Sequence, residues 1–496
     1  MNASSQPTLF HSATYWLRLL KERRIGAVEL LNLQLAHLDK HHASINAVVT
    51  RDLEGAFSAA RTADNVQASE QGLLHGLPMT VKEAYEVVGM PATCALPFLV
   101  GHRPERDADA VARLKAAGAV IYGKTNLPPG AFDWQSFNPI YGTTNNPWNV
   151  KRSPGGSSGG SAAALAAGFT SLELGSDIGG SIRVPSNFCG VYGHKPSWGI
   201  VPMRGHIPTG PGPSESLRVE MGVGGPMARS AGDLELALDI LVSPAEAERT
   251  AWSITIPPSR HERLQDFRVA VWADDISYAV DAGCIGAIES WVDDLRRLGV
   301  NVDSNARPDI DWQDSYEVYL ATVLQLLGAG APPEAVQQMI IAGENSDAKG
   351  YPAHLANALK MRHHEYFGVM VKRELLYRKW REFFSRYDLL ICPAYCSVAY
   401  EHDHRGVDRP DPISIGEART MTVNAKPRPY YDGLQWPSVA TVADLPSTAI
   451  PIGRFVDGMP MGVQVIGPYL EDRTPLRFAQ LLEHVTGSFA APPVFA

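Results

Sequence analysis

Residues 152–185 read RSPGGSSGGSAAALAAGFTSLELGSDIGGSIRVP, two glycine-rich turns that each carry serine, with an alanine-rich run between them. By composition GGSSGGS is the text of a flexible linker. The residues after it argue for built structure. GGSAAALAAG (159–168) has the composition of a helix that stops at Gly168, and SLELG (171–175) alternates like a strand. A ten-residue helix is about 15 Å long and a five-residue strand covers about 16 Å. A strand turning back along the helix therefore ends near the helix start, and the two glycine turns meet. That brings Ser157 and Ser158 beside Ser181, at the positive end of a helix dipole. The backbone N–H groups of Ile178, Gly179, Gly180 and Ser181 would there stabilise an oxyanion.

A serine hydroxyl attacks only when a base within hydrogen-bond reach takes its proton. Spacing alone leaves His194, Lys195, Asp177 and Lys82 as candidates. Lys82 sits near the end of GLPMTVKEA, an apolar run that reads as a strand able to carry the amine inward. Desolvation there would lower its pKa from about 10.4 and free it to act as a base.

Outward from this stretch, residues 76–240 alternate short apolar runs (LPMTV, AVIYG, FCGVYG) with helical segments such as ADAVARLKAAG, the pattern of an α/β unit. Two helical patterns fill residues 11–41. Residues 313–386 are mainly helical and lead into the strand-like DLLICPAY, and strands return at TAIPIGRF and MGVQVIG. No fixed-period repeat or long low-complexity linker intervenes. The expectation is one unit, residues 1–496, with a core at about 60–240, a helical variable region at about 245–430 and a C-terminal sheet segment at about 440–496.

The formal charge of -9 argues against nucleic acid or an anionic membrane as partner, and favours a small molecule. No apolar run is long enough to span a bilayer, and the N-terminal residues lack the regions of a secretory signal, so the chain is expected to be cytoplasmic. Cys94, Cys189, Cys284, Cys392 and Cys396 are an odd, scattered set that reads as reduced core thiols.

VKEAYEV (81–87), GKTNLPPGAF (123–132), NPW (146–148), SPGGSSGGSAAALAAG (153–168) and LGSDIGGSIRVPSNFCGVYGHKPS (174–197) together resemble the amidase signature family, which includes fatty acid amide hydrolase and bacterial amidases. The likeness covers roughly residues 10–240, and 440–479 resembles that family's closing segment. It implies the family's α/β fold, a central mixed β-sheet covered by helices on both faces, with a helical elaboration in the middle of the chain. It also implies a catalytic set of Lys82 as base, Ser157 in a cis peptide as proton relay and Ser181 as nucleophile. By the same resemblance Ala131 lines the site, and Ser158, Asp177 and Arg183 support its loops. His194 stands where many members carry leucine, and is read as structural. The implied activity is hydrolysis of linear, small to medium carboxamides, with aryl amides or carbamates as options, through an acyl-enzyme, with no cofactor and no metal. A monomer or homodimer is expected. Tyr430, Tyr431 and Trp436 are candidates for an aromatic pocket.

Other readings compete. Within the family the rival is the A subunit of a glutaminyl-tRNA amidotransferase. G-x-S-x-G at 155–159 fits a nucleophile elbow with Ser157 attacking, but NNPWNVKRSP before it reads as a loop rather than the required strand. A phosphate-binding protein using GGSSGG is the reading from another class, although no G-x-x-x-x-G-K-[ST] occurs. Ser346 and Lys349 form an S-x-x-K without its companion motifs. His363, His364 and Glu365, and His402, Asp403 and His404, lack metal-site spacing and read as solvated surface.

Overall fold

The computed structural model describes residues 8–208, 210–212, 216–328, 332–346, 350–406, 412–486 and 489–495. Lys349, and with it the S-x-x-K pair, lies outside them.

Among the described residues eleven strands form one sheet: β1 (Val48–Arg51), β2 (Pro78–Lys82), β3 (Val120–Thr125), β4 (Leu172–Asp177), β5 (Tyr192–Lys195), β6 (Val223–Ala228), β7 (Arg268–Val271), β8 (Asn301–Asp303), β9 (Leu389–Pro393), β10 (Ser447–Val456) and β11 (Met459–Ile466). Their spatial order is β1-β3-β2-β4-β6-β5-β10-β11-β9-β7-β8. The sheet is mixed. β3, β2 and β4 run parallel, as do β9, β7 and β8, while the stretch from β4 through β6, β5, β10 and β11 to β9 pairs antiparallel throughout. Every residue of β2, β3, β4, β6, β9 and β11 is buried. A sheet with a wet face cannot show that pattern, so helices cover both faces.

The opening stretch is helix, turn and strand. Gly159–Ala166 is a helix, Gly168 comes after it in the left-handed region at φ +76°, and β4 returns beside it. Apart from Leu165 the helix consists of small residues, all of it is buried, and this lets it lie close to the backbone of its neighbours. A Cβ on Gly160 would sit 2.4 Å from the backbone nitrogen of Asn126. The N-terminal helices span Ala13–Lys21 and Ala27–Ile45. The middle of the chain is helical at Trp312–Val323, Pro333–Glu344, Tyr351–Lys360 and His363–Arg386, yet residues 245–430 also supply β7, β8 and β9 to the sheet. The first two are only four and three residues long, too short to show a period in the sequence. Residues 144–158 contain no strand, which removes the strand an elbow at Ser157 needs. All five cysteines are buried and free. Among the described residues no helix is long and apolar enough to cross a membrane.

Candidate active site

The two glycine turns meet. Ser158 N–H donates to Ser181 O at 3.0 Å, and Ser158 Oγ lies 3.3 Å from both the N and the O of Ser176. The turn before the helix contains a cis peptide at Gly156–Ser157. Its glycines are required by close approach: a Cβ on Gly156 would stand 2.3 Å from Asp133 O, and one on Gly155, at φ +86°, 2.7 Å from Pro185 Cα.

Lys82 reaches this spot because β2 and β4 are parallel neighbours, with Val81 opposite Leu174, so both strands deliver their C-terminal ends to the same place. Lys82 Nζ lies 2.6 Å from Ser157 Oγ and 2.9 Å from Ser176 Oγ. The lysine is fully buried, and desolvation brings its pKa from 10.5 down to about 7, although Asp177 and Glu173 pull the other way. Near neutral pH a large share of this amine is therefore uncharged. His206 Nε2 sits 2.9 Å from Ser176 Oγ, with its ring edge-on to Tyr85. Burial first, and then the nearby Lys82 charge, press His206 down to about 3, so it stays neutral.

Asp177 and Arg183 hold the second turn. Asp177 Oδ1 accepts from Gly180 N–H at 2.9 Å, and its Oδ2 accepts from Ile182 N–H at 3.0 Å. Arg183 binds both carboxylate oxygens and reaches on to Gln464, Thr441 and Pro437 O. Burial pushes Asp177 up, but the guanidinium and the N–H donors outweigh it and hold the acid at about 2. This changes one expectation: the Gly180 N–H is committed to Asp177 and is not a free oxyanion donor. Among the described residues, the N–H groups of Ile178, Gly179 and Ser181 have no protein acceptor.

Ser181 opens onto two cavities that share Ala131, Phe132, Ile178 and Val323. Ala131 ends a short turn at Pro129–Ala131 and takes φ +64°. One cavity, about 70 Å³, is walled by rings, including Trp134, Tyr319, Tyr351 and Tyr431. The other, about 290 Å³, contains Ser157, Ser176, Asp177 and His206 and is otherwise mostly apolar, with Met203, Leu217 and Val219.

Of the three aromatics expected in the pocket, only Tyr431 lines it. Tyr430 turns its hydroxyl to Asp133, and Trp436 packs in the core against Trp272 and Tyr278, at ring separations of 4.8 and 5.7 Å. His194 is away from the site, between Thr448 Oγ1 at 2.9 Å and Asp472 Oδ1 at 3.1 Å. Lys195 is spent on the carbonyls of Pro196 and Leu445. His404 is not solvated surface, since its ring stacks on Phe137 at 3.9 Å. Sequence reasoning does not reach Ser176, His206, Trp134 or Tyr319. Only Ser176 carries a signal, as the serine of GSD at the end of a predicted strand.

The family model described as Amidase matches residues 29–476. The A subunit of a glutamyl-tRNA(Gln) amidotransferase from Anaeromyxobacter sp. (strain K) is 30% identical over 503 residues, covering 95% of each chain. Among solved structures, a chain from a vestigial protein complex that reveals the evolutionary origins of an s-triazine catabolic enzyme is similar at TM-score 0.81 and 26% identity, covering 97% of this chain and 100% of that one. A crystal structure of an amidase is similar at TM-score 0.75 and 27% identity, covering 96% and 100%.

Proposed function

The chain belongs to the amidase family, and from that premise we propose that it hydrolyses the C–N bond of an uncharged, small to medium carboxamide through Lys82, Ser157 and Ser181. One observation carries the proposal: a wholly buried amine with a pKa of about 7, 2.6 Å from a serine in the turn that meets Ser181.

In this reading neutral Lys82 takes the Ser157 proton as Ser157 takes that of Ser181, whose oxygen attacks the amide carbonyl. The N–H groups of Ile178, Gly179 and Ser181 receive the oxyanion. Collapse breaks the C–N bond, and the proton returns through Ser157 to the leaving nitrogen, which departs as ammonia or an amine. Water then attacks the acyl-enzyme by the same relay and releases the carboxylate. Ser158, Asp177 and Arg183 keep the two turns in register.

The lining supports an uncharged substrate. Among the described residues the two cavities present only two charged side chains, Asp133 and Asp177, and each is held by an arginine, Arg419 and Arg183. A substrate carboxylate would be desolvated there without a counter-charge. Anilides and carbamates with apolar substituents fit this chemistry.

The names of the curated relatives support a second reading better than this one: the A subunit of an amidotransferase that works within a tRNA-dependent complex. A panel of aliphatic amides, anilides, carbamates and glutamine separates the two. The expected result is turnover of an uncharged amide that disappears in Ser181→Ala. Glutamine as the sole substrate, or co-purification with a tRNA-binding partner, would favour the second reading, and full activity in Ser181→Ala would end both.

A further inference from the structure

The loop after β4 is gripped from the side of the aromatic cavity by two donors from distant parts of the chain. Tyr319, on the Trp312–Val323 helix, gives its hydroxyl proton to Ile178 O at 3.1 Å. Trp134, just past the Pro129–Ala131 turn, gives its indole proton to Gly179 O at 3.0 Å. Both rings are buried, Tyr319 wholly and Trp134 at 5% exposure.

In a planar trans peptide the carbonyl and the next N–H point to opposite sides. Fixing Ile178 O toward Tyr319 therefore aims Gly179 N–H away from the ring. Fixing Gly179 O toward Trp134 aims Gly180 N–H the other way, where it meets Asp177 Oδ1 at 2.9 Å. Two consecutive peptide planes are thus pinned on their carbonyl side by aromatic donors, and the second also on its N–H side by the carboxylate. A Cβ at Gly179 would stand 3.0 Å from Leu434 Cδ2 and 3.2 Å from the Tyr319 hydroxyl, so glycine is what lets the loop lie this close to its clamp.

We propose that Trp134 and Tyr319 are positioning residues: their hydrogen bonds to the Gly179 and Ile178 carbonyls hold the 178–181 loop so that the free N–H groups of Ile178, Gly179 and Ser181 face the place where the oxyanion forms. This rests on the Ser181 hydrolase reading given above. The same two rings wall the cavity beside Ser181, so an acyl group packing there bears on the groups that set the loop. A substrate that fits the rings tightens the donors, and one that displaces a ring loosens them.

The test uses the full chain and the best amide of the panel. Removing a direct oxyanion donor costs about 10²- to 10³-fold in kcat, and a support behind the donors is expected to cost about tenfold. Tyr319→Phe deletes one oxygen and Trp134→Phe deletes the indole N–H. Each should lower kcat about tenfold with KM within about twofold, slow phosphonylation of Ser181 by a fluorophosphonate to a similar degree, and leave the melting temperature within a few degrees. Benzothienylalanine at position 134 keeps the bicyclic ring but has no N–H, and should match Trp134→Phe. Wild-type kcat in the benzothienylalanine protein and in Tyr319→Phe, or a loss confined to KM, would overturn the proposal in favour of simple packing. Ser181→Ala is measured alongside: if it is inactive while both positioning variants keep wild-type kcat, this inference fails and the hydrolase reading stands. If Ser181→Ala keeps turnover, it is the hydrolase reading that fails.

Discussion

Lys82→Met replaces the buried amine by an apolar side chain of similar length, and its effect on stability can be worked out before any substrate is known. Bringing the amine from 10.5 to about 7 corresponds to about 5 kcal/mol, at about 1.4 kcal/mol per decade. Linkage sets the sign. Between pH 7 and 10.5 the unfolded chain holds a proton on this lysine that the folded protein does not, so wild-type stability rises with pH across that window. The penalty is full below about pH 7 and vanishes near 10.5. Methionine removes it but forfeits the contacts to Ser157 and Ser176, at about 1 kcal/mol each, and leaves the Ser157 hydroxyl with less to bond. Lys82→Met should then be about 2 kcal/mol more stable than wild type at pH 6.5 and less stable than wild type at pH 10. The swing between the two, about 4 kcal/mol, does not depend on the hydrogen-bond terms. Asp177, Glu173, Cys94 and His206 surround the amine and remain in both proteins; burial raises Glu173 to about 8, inside this window, so the swing reports the amine together with its coupling to that carboxyl. Urea denaturation of both proteins at pH 6.5, 8 and 10 measures it. A stability difference that stays constant with pH would refute the reasoning, because it would mean that Lys82 is not held neutral by burial. In the same frame, wild-type kcat/KM should fall as pH drops through about 7, while Lys82→Met should be inactive throughout.

Asp177→Asn leaves Arg183 buried without its carboxylate, and breaking such a pair costs about 3–5 kcal/mol. A fall of several degrees in melting temperature, together with loss of activity, is expected; an unchanged melt would show that Gln464 and Thr441 suffice for the guanidinium. Gly160→Ala drives a methyl onto the Asn126 backbone, at 2.4 Å from its nitrogen and 2.5 Å from its oxygen, and overpacking of this kind costs about 1–3 kcal/mol. Denaturant midpoints read it directly, and wild-type stability there would contradict the close seating of the serine-bearing helix.

The local half of this site is legible in the sequence and the long-range half is not. Helix and strand lengths in 152–185 suffice to bring Ser157 to Ser181, because the return of β4 along a ten-residue run is a short-range matter. The choice of base among Lys82, Lys195, Asp177 and His194 is different, since it depends on β2 pairing with β4 across some ninety residues of chain, and no period or spacing announces a strand's neighbour. Resemblance to a family supplies that choice. The pocket misleads for a related reason. Tyr430, Tyr431 and Trp436 are near one another in the chain, but the turn at Tyr430–Leu434 and the helix at Gln435–Thr441 send them to three different environments. Tyr319 reads as one more apolar position of a helix, and only the packing of that helix reveals that its hydroxyl ends on Ile178 O. His206 lies in the glycine- and proline-rich text after the last motif, where residue type alone gives no contact.

In the proposed function, the neutral base and the preference for a neutral substrate share one physical cause. A sheet covered on both faces delivers Lys82 into a fully buried position, and that desolvation is the largest influence on its pKa. A ligand entering beside Ser181 meets a mostly apolar lining. In that reading an amide dipole would be compensated there by loop N–H groups, whereas each uncompensated ionic group of an amino acid would cost several kcal/mol, with Asp133 and Asp177 already bound to arginines. An amidotransferase-like role for this chain would therefore require charged groups from outside the described lining, brought by a partner or by a rearranged mouth. On the proposed reading, a hydrolase of apolar amides draws only on the lining described, because the buried position that lowers the lysine's pKa adjoins the mostly apolar cavities beside Ser181.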